Sequence, residues 1–174
     1  MSAQTPDYFI HEDFKYCFSS TQFLKEVFSM EKLGINPDEP DTACWRGYVA
    51  TFSVIEKMLV LKDLHTNNGY GILSILKKPV TINGKKPEVI KFGGDWKYYD
   101  VNLPIEFTGK ILITDDFIKE RYVHMGFQSP LSFRRVMKLK FDNGFLIDSK
   151  DVSKVIARLR QRGHFIRRFN SFSS

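Results

Sequence analysis

The sequence contains little cysteine: Cys17 and Cys44 are the two found among 174 residues. This number excludes the disulfide framework of small secreted domains, and in a reducing compartment both side chains are most simply free thiols. No CxxC motif is present, and no cysteine–histidine cluster has the spacing of a zinc site. We therefore expect no metal site, and we expect no cofactor.

Long hydrophobic runs are also missing. The longest apolar stretches, such as residues 58–61, are far shorter than the roughly 18 residues that a membrane-spanning helix needs. The first residues, MSAQTPDYFIHEDFKY, contain neither a basic n-region nor an apolar h-region, which argues against a signal peptide. We expect a cytoplasmic protein without a membrane partner.

Common catalytic motifs are absent, since the chain has no GxxxxGK[ST], GxGxxG, GxSxG or HExxH. His124 is the best single candidate for catalysis, with Cys44 as a thiol partner if the fold brings the two together. Four carboxylates near His124 in sequence could orient it: Glu106, Asp115, Asp116 and Glu120. The alternative is that His124 is a hydrogen-bonded structural residue and Cys44 a small buried one.

Aromatic residues, in contrast, are abundant. They make up 14% of the chain and include 16 Phe, which indicates a core built on large flat side chains. A chain of this length suits one domain and buries about 70% of its unfolded surface. We predict a single domain over residues 1–174, with residues 163–174 as a flexible basic tail.

Short strands separated by turn residues dominate the pattern. Asn83-Gly84 and Asn143-Gly144 are strong hairpin signals, because a type I′ turn needs a positive φ at both central residues. Glu56-Lys57 is the predicted turn of a third hairpin. Residues 8–18 and residues 121–127 are each predicted to form one strand, the latter with Val123, Met125 and Phe127 facing the core.

Two helices complete the prediction. The first follows Ser19 and ends at Gly34, and the second begins at Asp148 as its N-cap and ends at Gly163. Basic residues line one side of the second helix. The fold class is therefore α+β: a mainly antiparallel sheet, curled into a sandwich or partial barrel, with an N-terminal helix and a basic C-terminal helix.

Charge is distributed unevenly along the chain. The net charge is −5 for residues 1–45, +3 for residues 46–131 and +8 for residues 132–174, within a total of +6. One interpretation is an anionic partner for the basic end. The other is that the acidic and basic ends of the chain face each other within the fold, and the sequence leaves both open.

The basic third supplies candidate binding residues. Alternation places Arg134, Lys138 and Lys140 on one face of a strand, and Arg158 and Arg162 lie on the second helix. These side chains suit an acidic protein surface, and they could also neutralise phosphates, although no RRM, KH or helix-turn-helix signature accompanies them.

Trp45 and Tyr48 are candidate anchors for a bound partner, because large aromatic residues often dominate binding energy. Trp45-Arg46-Gly47-Tyr48 could form a platform on which a ligand is stacked and gripped. The alternative is that Trp45 anchors the core beside an Arg46 that faces solvent.

Three segments carry a resemblance to a known family: WRGYVATFSVIEKMLVLKDL, NLPIEFTGKILI and YVHMGF. Over residues 42–130 the chain resembles a family of small bacterial cytosolic proteins in which these strand motifs occur in this order. Phe52 stands where the family has Trp. The resemblance implies a bacterial cytosolic origin and one continuous domain, and it supplies no activity and no catalytic residue.

The sequence thus favours a non-enzymatic protein-binding module, for example a bacterial immunity or inhibitor protein, whose partner has an acidic surface. Two alternatives remain open. One is a nucleic-acid-binding protein that uses the same basic third, and the other is an enzyme that uses His124.

Overall fold

The computed structural model describes residues 2–18, 28–39, 41–69, 77–90 and 95–162. Within these ranges the chain forms ten strands, one α-helix and three short 3-10 helices, the latter at Glu31–Leu33, Lys119–Arg121 and Pro130–Ser132. The strands and the α-helix are β1 (Tyr8–His11), β2 (Phe14–Phe18), β3 (Tyr48–Ile55), β4 (Met58–Asn67), β5 (Glu88–Ile90), β6 (Asp95–Tyr98), β7 (Leu103–Pro104), β8 (Gly109–Phe117), β9 (Phe133–Asp142), β10 (Phe145–Asp151) and α1 (Ser153–Gln161).

All ten strands belong to one mixed sheet with the order β10-β9-β8-β2-β1-β3-β4-β6-β5, in which β7 also pairs with β4. β1 and β3 run parallel, whereas the other described neighbours are antiparallel. Because β10 also meets β4, where Phe145 lies opposite Met58, seven strands close into a ring. The structure thus confirms a β-rich fold with a C-terminal helix.

Two hydrophobic clusters hold this arrangement together. The larger one is rich in aromatic residues: Phe52 packs against Phe18 and Phe28 with ring centroids 5.6 and 5.7 Å apart. The smaller one is centred on Val136 and Ile156, where α1 covers β9. Edge-to-face packing of this kind stabilises the core beyond the burial of area alone.

The three predicted hairpin turns are confirmed. Asn83 and Gly84 have φ values of 46° and 76°, and Asn143 and Gly144 have values of 47° and 84°. Glu56 and Lys57, at 50° and 67°, connect β3 to β4 in the same way. Positive φ at both central residues matches the right-handed twist of the flanking strands.

Residues 8–18 form two strands, so the prediction of one strand is wrong. Glu12 and Asp13 both have positive φ, at 50° and 66°, and reverse the chain between β1 and β2. The two residues lack the Asn-Gly signal that marks the turns at residues 83–84 and 143–144, so the sequence indicates this turn less clearly.

The prediction of a strand over residues 121–127 is also wrong. Lys119–Arg121 is a 3-10 helix, and after it Gly126 makes a single bridge to Ala3. The side-chain amide of Gln128 bonds back to Val123 and closes this segment into a loop. Its oxygen accepts a hydrogen bond from the Val123 N–H (3.0 Å), and its nitrogen donates one to the Val123 carbonyl (2.7 Å). A side chain therefore satisfies backbone groups that a strand would pair with a neighbour.

Two predicted segments lie largely outside the described residues. These are most of the N-terminal helix (residues 19–27) and the tail at residues 163–174. Gly34 does end a helical turn, because it has a φ of 70° and its N–H donates to the Glu31 carbonyl. In the part of the chain that is described, no helix has the length and apolarity to cross a membrane.

Gly144 allows the ring to close, which leads to a first prediction. A Cβ added there would lie 2.5 Å from the Ile105 carbonyl oxygen and 2.7 Å from the Met58 sulfur, whereas at Gly84 it would meet nothing within 4 Å. Both glycines have positive φ. We expect G84A to lower the free energy of unfolding by about 1–2 kcal/mol, the cost of a left-handed alanine. We expect G144A to cost about 1–3 kcal/mol more because of overpacking.

Urea denaturation followed by tryptophan fluorescence measures both values. Equal losses in G84A and G144A would show that the close approach of Gly144 to Met58 and Ile105 does not support the ring.

Candidate functional site

Four lysines project from the outer surface of β8, β9 and β10. Lys110 on β8 lies opposite Lys140 on β9, and Lys138 on β9 lies opposite Lys150 on β10. Residues paired across strands share a face, and so do residues two apart along a strand. Lys110, Lys138, Lys140 and Lys150 therefore form one surface, which we call the lysine face.

This arrangement opposes folding. Side chains directly opposite each other on a sheet have Cβ atoms about 4.5–5.5 Å apart, and like charges at that distance are destabilising. Two of the cross-strand pairs on the lysine face are lysine opposite lysine, whereas the pair of Asp148 with Lys140 is of opposite charge, and Asp142 lies two residues from Lys140 at the end of β9. The two lysine–lysine pairs thus hold positive charge at a cost to the sheet.

The position of α1 determines where the lysine face begins. Ile156 packs on Val136, and Leu112 borders the same cluster. The helix is fixed to β9 because the Val136 N–H donates to the Ser153 hydroxyl (2.9 Å). Lys138 is the next residue of β9 on this side of the sheet, so the basic surface starts where the cover of the helix ends.

Asp148 is not the N-cap that the sequence predicted. β10 continues to Asp151, and α1 begins at Ser153. Asp151 instead accepts a hydrogen bond from the Ser153 N–H (2.8 Å), and bonding to Ser153 lowers the pKa of this carboxyl. Extension of the strand by three residues places Asp148 and Lys150 on the lysine face.

The other predicted basic residues have different surroundings. Arg134 is exposed and pairs with Asp116 at 3.0 Å, so its charge is partly neutralised. Arg158 and Arg162 lie at the exposed end of α1. The structure thus groups Lys138 and Lys140 with two lysines that sequence reasoning missed, Lys110 and Lys150. Alternation in GKILI hints at Lys110, but only the strand register identifies its partners.

Arg160 has a structural role instead. Its guanidinium donates to the carbonyl oxygens of Leu131 (2.8 Å) and Phe133 (2.5 Å), which ties α1 to the start of β9. Burial, together with the nearby charges of Arg121 and Arg134, lowers the pKa of Arg160.

The segment Trp45–Tyr48 is organised around a buried ion pair. Asp7 is 0% exposed and accepts hydrogen bonds from both terminal nitrogens of Arg46 and from the Ala50 N–H (2.7 Å). Burial raises the pKa of Asp7, and Arg46 and the Ala50 N–H act in the opposite direction. The Arg46 guanidinium also lies over the rings of Tyr48 (4.9 Å) and Phe127 (5.2 Å).

The solvent exposures of Trp45 and Arg46 are the reverse of the alternative given by the sequence, in which Trp45 is buried and Arg46 faces solvent. Trp45 is 46% exposed, whereas Arg46 is largely buried. Tyr48 is half-buried beneath Arg46 and packs edge-to-face on Phe28, so Trp45 has the more accessible ring of the two candidate anchors. The WRGY segment meets the YVHMGF segment through Arg46 and Phe127.

His124 is exposed and packs edge-to-face on Tyr122, with ring centroids 5.1 Å apart. Two of the carboxylates expected to orient it are engaged elsewhere, because Asp115 pairs with Arg135 and Asp116 with Arg134.

Cys44 donates a hydrogen bond through its thiol to the Tyr48 carbonyl (3.5 Å), and burial raises the pKa of this thiol. A raised pKa disfavours the nucleophilic thiolate. Among the described residues no group of three or more His, Cys, Asp or Glu could hold a metal ion.

A groove on the opposite part of the ring was also missed from sequence, because it is assembled from five strands. It has a volume of about 360 Å³ and runs over the outer surface of β1, β2, β3, β4 and β6. Lys15 lies 3.6 Å from the centroid of the Tyr8 ring at one side, and His65, Lys97 and Tyr99 line the other. The lining also includes Asp63, so the groove carries charges of both signs.

Comparisons of the chain with protein-family models, with curated proteins and with solved structures found no match. We therefore infer function from the chemistry of the residues themselves.

The Asp7–Arg46 pair gives a second prediction. D7N leaves the charge of Arg46 buried without its counter-charge, so we expect the free energy of unfolding to fall by about 3–5 kcal/mol. D116N makes the same chemical change in the exposed pair with Arg134, and we expect a loss of at most about 1 kcal/mol. Urea unfolding of the two variants measures the difference, and similar losses would contradict a structural role for the buried pair.

Proposed function

We propose that the protein is a non-enzymatic binding module that recognises an acidic protein surface through the lysine face. The observation that carries this proposal is the pair of lysine–lysine juxtapositions across β8, β9 and β10. Surface charge that costs stability is retained where it serves binding, as in the trade-off between stability and activity. A bacterial immunity or inhibitor protein of the cytoplasm is the concrete form that we favour.

The acids of the N-terminal part support this proposal. Asp7 pairs with Arg46, and Asp38 pairs with Lys77. The basic partners of these two acids therefore lie before the C-terminal third of the chain. In that third Arg134 and Arg135 pair with Asp116 and Asp115, and the lysine face is the positive surface that we propose attracts a partner. Complementary charge accelerates encounter and excludes wrong partners more than it adds affinity.

An apolar anchor lies beside the lysines. Phe145 is 50% exposed and lies opposite Asp142, two residues from Lys140 on the same strand face. An aromatic side chain flanked by charged residues matches the usual composition of a protein interface, in which a few large residues supply most of the binding free energy.

A capture experiment tests the lysine face. Immobilised wild-type protein and the variant K138E/K140E are cross-linked in a bacterial cytosolic extract, and the captured proteins are identified by mass spectrometry. K85E/K86E is the matched control, because it makes the same charge change on the exposed Asn83-Gly84 hairpin. We expect an acidic protein to be captured by the wild type and by K85E/K86E, and to be lost with K138E/K140E.

Nucleic acid is the other outcome of this test. Suppose the wild type captures no protein but binds duplex DNA, and the logarithm of its affinity falls with the logarithm of the salt concentration by about 0.9 per phosphate contact. The lysine face then binds nucleic acid instead. Capture of the same proteins by K138E/K140E would overturn the role of the lysine face altogether.

A third prediction concerns stability. K138E places an acid opposite Lys150, so a repulsive cross-strand pair becomes attractive. We expect its free energy of unfolding to rise by about 0.5 kcal/mol, within the usual range for such pairs. K138Q removes the charge alone and is expected to give about half of this gain. Destabilisation in both variants would show that Lys138 supports the fold.

A further inference from the structure

Part of β10 has an unpaired edge. β10 pairs with β9 along its length, but it meets β4 at Phe145 alone, next to a hydrogen bond from the Leu146 N–H to the Lys57 carbonyl (2.7 Å). Beyond Leu146, none of the described residues pairs with the second edge of β10. Residues 147–151 are all exposed. Such an edge offers backbone donors and acceptors to another strand.

The backbone groups that face this edge can be identified. The Val152 N–H donates to the Val136 carbonyl (2.9 Å), in the same register as the pairs Lys150–Lys138 and Asp148–Lys140. In antiparallel strands every second residue bonds to a given neighbour. Asp148 and Lys150 therefore bond to β9, whereas Ser149 and Asp151 direct their N–H and carbonyl groups to the open edge.

We infer that the open edge of β10 pairs with the same edge of a second copy of the chain, antiparallel and centred on Ser149. A two-fold axis then places Ser149 opposite Ser149 of the second copy. It places Asp148 of each copy opposite Lys150 of the other. Pairing of identical edges about a two-fold axis is the isologous contact typical of homodimers.

Two independent constraints select this register. If one strand shifted by one residue, the outward N–H and carbonyl groups of Ser149 would lie opposite residues of the second copy whose backbone groups point to that copy's β9. The backbone hydrogen-bond pattern therefore excludes this register. A shift of the centre to Asp148 or Lys150 would place identical charges opposite each other, which is destabilising. Centring on Ser149 satisfies the backbone and forms two pairs of opposite charge.

The side chains do not obstruct this contact. The Ser149 hydroxyl lies 3.0 Å from Nε2 of His11, on the ring side of the strand. A bulge between Leu146 and Asp148 interrupts the regular edge at Ile147. Bulges and charges discourage pairing with arbitrary strands, so this edge is specific for a partner that presents the reciprocal charges.

The interface is short, and we therefore expect a weak dimer that forms in a concentration-dependent way. Asp148 and Lys150 lie on the lysine face, so the dimer joins the lysine faces of two copies across the two-fold axis. The inference stands on the edge geometry and does not depend on the proposed function.

A charge-swap experiment tests it by sedimentation velocity over a range of protein concentrations. D148K and K150D each place like charges across the axis, and we expect at least tenfold weaker self-association for each. The double variant D148K/K150D restores opposite charges and should dimerise as the wild type does. An equimolar mixture of D148K and K150D should form a heterodimer, and K85E, which changes charge away from the edge, should dimerise normally.

Amide hydrogen exchange gives a second readout on the same wild-type protein. We expect exchange at Ser149 to slow as the concentration rises, while exchange at Lys150, already bonded to β9, stays constant. The inference is overturned if the wild type remains monomeric, if D148K and K150D dimerise as strongly as the wild type, or if the double variant fails to recover.

Discussion

The contact between β10 and β4 is the constraint on which the remaining features depend. The Leu59 N–H donates to the Gly144 carbonyl (2.8 Å), and the Leu146 N–H donates to the Lys57 carbonyl, so the ring closes over a few residues at the start of β10. The rest of β10 projects past the β3–β4 turn. Because the closure is short, the second edge of β10 beyond Leu146 has no pairing partner among the residues that the structure describes.

The charged residues discussed above fall into two groups. Asp7 and Arg46 are buried together, and each is costly without the other, so they fix the chain between the N-terminal segment and β3. Lys110 lies opposite Lys140, and Lys138 lies opposite Lys150, and these two pairs of like charge disfavour the sheet. The buried pair of Asp7 and Arg46 stabilises the fold, whereas the lysine–lysine pairs of the lysine face destabilise it. This contrast is the basis for proposing that the lysine face serves binding.

Local features were predictable from sequence, whereas features set by distant residues were not. Asn83-Gly84 and Asn143-Gly144 determine their own turns, because their conformational preferences suffice. The strand expected at residues 121–127 is replaced by a loop that the Gln128 side chain closes. Lys138 and Lys140 were found from alternation, but Lys110 and Lys150 required the register, and Asp7 and Arg46 lie 39 positions apart.

The lysine–lysine pairs also have an evolutionary consequence. Most substitutions on a protein surface are either neutral or harmful to folding. Replacement of Lys138 removes its repulsion with Lys150, so we expect the fold to tolerate new residues at this position more readily than elsewhere on the sheet. Sequence drift can therefore alter what this surface recognises while the ring beneath it stays the same, and related chains are expected to diverge first in their choice of partner.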